Sequence, residues 1–88
     1  ALVSSKQDEQ RIAQIAMRLK NAFDGTWWDW TDEDEVYASL EEIKNKNELK
    51  KVAIVYKQMY GNELMRDLRD DLDDREFKKA LDIINSKK

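Results

Sequence analysis

The chain is predicted to be all-α, a compact bundle of five helices. Three observations carry this. Apolar residues recur at three- and four-residue spacing in five separate stretches. No stretch alternates at period two for long enough to make a strand. No proline stands anywhere to break a helix interior.

The first stretch carries Ile12, Ile15, Ala16, Leu19, Ala22 and Phe23 on one face. It ends at Asp24-Gly25, where glycine can take the left-handed cap that closes a helix. A tryptophan-rich loop follows. Thr31 then reads as the N-cap of the second helix, with Asp34 as its capping-box partner. Asp32, Glu33 and Asp34 fall in the first turn, where the helix dipole favours negative charge. Val36, Tyr37, Leu40 and Ile43 are the inward set. Lys44-Asn45-Lys46-Asn47 reads as a polar turn, placing the third helix at about 48–60. Its face is Leu49, Val52, Ala53, Tyr56, Met59 and Tyr60. Ile54 and Val55 widen that face, so this helix is expected to be the most buried. Gly61 ends it. Leu64, Leu68 and Leu72, four apart, mark a short fourth helix. Asp73 with Glu76 forms a box-like cap for the fifth, whose stripe is Phe77, Ala80, Leu81 and Ile84. Residues 1–6 read as a flexible tail, residues 7–86 as the single helical domain, and 86–88 as frayed.

Composition narrows the function. Eighty-eight residues make one small domain. The 16 basic and 19 acidic residues leave a net charge of −3. That balance argues against nucleic acid, whose binding draws on positive charge to neutralise phosphates. With no Cys and no His, there is no disulfide, thiolate metal site, imidazole ligand or histidine-based triad. No apolar run approaches the ~18 residues of a membrane span, so the chain is expected to be soluble. From its start at Ala1 rather than Met, it is expected to be a processed or trimmed piece.

All three tryptophans fall in Asp24-Gly25-Thr26-Trp27-Trp28-Asp29-Trp30-Thr31-Asp32-Glu33-Asp34. A Trp ring offers a large apolar face and one N–H donor. On a loop, such rings either close over the core or grip a partner. Trp27 and Trp30 lie three apart and Trp28 is expected to point elsewhere, so at least one ring should stay partly exposed. Aromatic residues of this kind are enriched at binding hot spots and at membrane interfaces.

The order of helices and the residues at their junctions resemble one repeat of the annexin family, over about residues 8–85. The most specific pieces are Thr31-Asp32-Glu33-Asp34 at the second helix start and Tyr56-Lys57-Gln58-Met59-Tyr60-Gly61-Asn62-Glu63-Leu64 across the third-to-fourth junction. Asp67-Leu68-Arg69-Asp70-Asp71-Leu72 continues the likeness. The resemblance implies a compact right-handed five-helix bundle. It also implies a calcium site in which carbonyls of a Gly-x-Gly-Thr loop join a distant carboxylate. Gly25-Thr26 begins that loop here, Asp71 matches the carboxylate, and Asp29 is a further oxygen ligand for a cation that takes about 6–8. The chain departs from the pattern in having one glycine, not two, and in the inserted Trp27-Trp28-Asp29-Trp30. It also has one repeat where annexins generally use four, so the avidity of a four-repeat membrane binder is absent.

The other acidic and basic runs have plain readings. Asp70, Asp71, Asp73 and Asp74 make a solvated face plus an N-cap, and Lys44, Lys46, Lys50 and Lys51 a small basic surface. Tyr56 and Tyr60 read as core with hydroxyls at the rim. A carboxylate pair such as Asp29 and Asp71 would need a fixed separation and a raised pKa on one partner for glycoside chemistry, and a spare acidic loop in so acidic a chain is weak evidence for it. No catalytic constellation remains, and the chain is expected not to be an enzyme. Two expectations follow. One is an interaction or structural module, an assembly, adhesion or virion-type domain, binding a protein partner through Trp27, Trp28 and Trp30. The alternative is a divergent calcium-dependent phospholipid-binding module that uses Gly25, Asp29 and Asp71 at an anionic membrane surface.

Overall fold

A computed structural model describes residues 2–24 and 32–88, with side chains from Asp8 onward. The described residues form five helices and no strand: α1 Leu2–Asp24, α2 Glu33–Glu41, α3 Lys46–Tyr60, α4 Leu64–Asp71 and α5 Asp74–Asn85. The fold is all-α.

Helix α1 is the spine. Its stripe of Ile12, Ile15, Ala16, Leu19, Ala22 and Phe23 is buried, against both α2 and α3. Helix α2 runs back along α1, because Ala22 meets Asp32, Arg18 meets Glu35, and Arg11 reaches the Glu42 carbonyl. Helix α3 runs alongside α1 in the same direction, with Arg11 at Glu48 near one end and Lys20 over Tyr60 at the other. Helix α4 packs on α3 and α1, and α5 closes the bundle against α2 and α4. Val36, Leu40, Ile43, Val52, Tyr56, Leu64, Leu68, Leu72, Ala80 and Ile84 complete the shared core. Fully burying one such aliphatic side chain stabilises by about 1.5–3 kcal/mol.

The helix ends follow local chemistry. In α5 both halves of the capping box form: Asp73 Oδ1 accepts the Glu76 N–H at 2.8 Å, and Glu76 Oε1 accepts the Asp73 N–H at 3.0 Å. Gly61 closes α3 at φ +76°, the left-handed region in which a β-carbon is strained.

Three expectations need correction. Helix α2 is capped by Asp32, not Thr31. The Asp32 carboxylate accepts the Glu35 N–H at 3.3 Å, while its own N–H is held by the Ala22 carbonyl at 2.8 Å. Helix α3 starts two residues earlier than the polar turn suggested. Asn45 Oδ1 accepts the Glu48 N–H at 2.8 Å, which brings Lys46 and Asn47 into the first turn. Nor is α3 the most buried helix. It buries only Val52 and Tyr56, while Ile54 and Met59 are exposed. Its neighbours α1 and α4 leave the side bearing Ile54 open to solvent.

Ion pairs fix the outer seams. Arg18 bridges Glu35 at 2.7 Å and also pairs with Glu42, joining α1 to α2. Arg11 pairs with Glu48, joining α1 to α3. Burial works to raise the Glu48 carboxyl, but the Arg11 guanidinium and the Lys44 N–H together outweigh it, so Glu48 is held below the usual range. Lys79 lies 4.4 Å from the Tyr37 ring centroid and helps seat α5 on α2.

Candidate functional site

The site begins where α1 ends. The Ala22–Asp32 hydrogen bond closes the chain on itself at the root of the loop between α1 and α2. Below this root, Phe23 packs edge-on to Tyr56 with ring centroids 6.3 Å apart, and Tyr56 meets Tyr60 at 5.3 Å. The stem is therefore tied by a backbone bond and floored by aromatic core. Of the residues expected to act, Trp27, Trp28, Trp30, Gly25 and Asp29 lie outside the described residues, as does Thr31.

Asp71 stands on the last turn of α4. Its carboxyl is raised above the usual range, first by partial burial and then by repulsion from Asp67, Asp70 and Asp24, with Lys20 opposing. These causes bring together an acidic group from two helices: Asp24 at the end of α1, and Asp67, Asp70 and Asp71 on α4. Lys20 pairs with Asp24 at 3.3 Å and tempers it. Asp24 and Asp67 are functional candidates that sequence reasoning passed over. Asp67 and Asp71 are four apart and so share a side of α4, which is legible in the spacing. The approach of Asp24 depends on how α4 packs on α1.

Beneath this group the Tyr56 hydroxyl donates to Asp67 Oδ2, and the Asn62 amide donates to the same oxygen at 3.2 Å. Tyr56 is fully buried. Burial first, and then the Asp67 hydrogen bond, push its phenol far above the ordinary range. Tyr56 is thus a fixed neutral donor, unsuited to proton transfer near neutral pH. Among the described residues no three carboxylates converge in a way that could hold a metal ion. An open hollow of about 570 Å³ lies beside α4, lined by Lys57, Gly61, Asn62, Glu63, Arg66 and Asp67. It carries both signs of charge, with Lys57 and Glu63 paired at 3.5 Å, and so favours no ligand class. No helix of the described residues is long and apolar enough to cross a membrane.

What the described residues offer is a braced stem, an acidic group at its foot and a neutral buried tyrosine. Compared with protein-family models, curated proteins and solved structures, the chain matches none of them.

Proposed function

We propose that the chain is a non-enzymatic interaction module, an annexin-repeat-like assembly or adhesion domain that docks on a protein partner through Trp27, Trp28 and Trp30. The observation that supports this reading is the Ala22–Asp32 hydrogen bond, which ties together the two ends of the stretch that carries the three tryptophans. Binding residues gain precision when a loop springs from a fixed scaffold. Aromatic anchors presented this way are worth about 2 kcal/mol or more each at a hot spot.

The test reads the rings directly. Acrylamide quenching of the isolated chain should find readily accessible Trp emission. The W27A/W28A/W30A triple variant should keep its helical circular dichroism and lose less than about 12 °C in Tm, as three surface changes of up to about 0.5 kcal/mol each would. Shielded emission together with a collapse in Tm would make the rings core, where each truncation costs about 3–5 kcal/mol, and would end this reading.

A second reading, a divergent calcium-dependent phospholipid-binding module, has one specific support. Asp71 is repelled by Asp24, which immediately precedes Gly25. A cation seated between α4 and the loop would relieve that repulsion, with Gly25, Asp29 and Asp71 as ligands. Millimolar calcium would then raise Tm by mass action, and anionic vesicles would blue-shift the Trp emission only when calcium is present. An unchanged Tm and spectrum under both additions would remove it.

A further inference from the structure

We infer that the exposed seam between α1 and α3 is a self-association surface, occupied by a second copy of this chain in a two-fold dimer. Between the two helices lies a cleft of about 190 Å³ lined by Glu9, Ile12, Lys51, Ile54 and Val55. Ile12 is its buried floor, and Ile54 stands 58% exposed at its lip. A lone exposed isoleucine is ordinary; here it continues into a small apolar cleft and extends its apolar surface. Isoleucine is otherwise among the residues most often buried.

The charges around the cleft identify the occupant. Asp8 and Glu9 sit on the α1 rim and Lys51 on the α3 rim. None of the three forms an ion pair among the described residues, although Asp8 is close enough to act on the Arg11 guanidinium, which is itself paired to Glu48. One rim is acidic and the other basic, so a partner of uniform charge meets repulsion on one side. A second copy does not. In a face-to-face pair the two-fold axis lies in the plane of contact. With that axis along the cleft, each acidic rim faces the partner's basic rim, and the two Ile54 side chains approach across it. With the axis across the cleft, like rims would meet. Charge therefore selects both the occupant and its orientation, and every contact occurs twice, as in any isologous interface.

Sedimentation velocity on the full chain from about 10 µM to about 1 mM tests this. The expected result is a reversible monomer–dimer equilibrium that weakens with added salt. I54E should weaken it at least about tenfold, as loss of a central apolar anchor does. E9K and K51E should each weaken it about tenfold, because each reversal is felt at two symmetry-related pairs. The E9K/K51E double variant should recover most of the loss, since the opposite-charge pairing of positions 9 and 51 is restored with its signs reversed. Glu9, Lys51 and Ile54 are all exposed, so helical circular dichroism should be unchanged in every variant. A chain that stays monomeric throughout the range overturns the inference. So does a dimer indifferent to I54E, or one that the double reversal fails to rescue.

Discussion

Replacing Tyr56 by Phe removes one oxygen from the centre of the bundle and nothing else. The ring stays, so its edge contacts with Phe23 and Tyr60 persist. What is lost is the hydrogen bond to Asp67. A bond to a charged acceptor is worth about 1.5–3 kcal/mol net. Asp67 keeps the Asn62 amide at 3.2 Å and some access to water, so it is not orphaned. The lower end applies, about 1.5–2 kcal/mol. For a domain of this size 1 kcal/mol moves Tm by about 4–8 °C, giving a fall of about 6–15 °C. Thermal and urea denaturation followed by circular dichroism measure it, and the urea slope should be unchanged because the surface exposed on unfolding is the same. A cycle with Asp67→Ala should return a coupling of at least about 1 kcal/mol. A Y56F loss under about 0.5 kcal/mol, or a coupling near zero, would show that α3 and α4 are joined by packing alone.

Other expectations rest on single groups. Ser39 is fully buried on α2, and among the described residues its hydroxyl has no hydrogen-bond partner. Ser39→Ala should therefore leave stability unchanged or raise it by up to about 1 kcal/mol in urea titration, since an unmet buried hydroxyl is a cost; a clear loss would mean the oxygen is satisfied in solution. Glu48 is held below its ordinary value of 4.5, so its contribution is present above that pH and fades as pH falls through the folded value. Glu48→Gln should cost about 1 kcal/mol at neutral pH and converge with the parent in acid, as a Tm-against-pH series will show. Asp71 is shifted the other way, from an ordinary 3.8 upward. Its ionisation opposes folding above that range and is harmless below it, so Asp71→Asn should raise Tm at pH 7 and lose the advantage near pH 3. A Tm gain equal at both pH values would assign the effect to packing instead.

How much of this was legible in the sequence depends on how local each feature is. The α5 cap needs only Asp73 and Glu76, three apart, and it is found as read. The α1 stripe is a clean single face and is buried as read. Helix α3 misleads because Leu49, Val52, Ala53, Ile54, Val55 and Tyr56 put apolar groups on several sides. Periodicity cannot say which side a neighbour covers, and only the line through Val52 and Tyr56 is fully buried. The start of α2 depends on the Ala22 carbonyl capturing the Asp32 N–H across the loop, a contact no spacing rule contains. The site divides the same way. Asp67 and Asp71 share a side of α4 by spacing, but the approach of Asp24 is a product of how α1 and α4 meet.

The bond between Ala22 and Asp32 has one more consequence. The two ends are already clasped, so one backbone bond helps hold the start of α2 to the end of α1. Lengthening such a loop is inexpensive in closure entropy, about 0.6 kcal/mol for each doubling. Added length between residues 24 and 32 is thus expected to leave the helix pairing at its base in place, which Tm measured on insertion variants will show. Divergence can then rewrite what such a domain touches without first having to rebuild it.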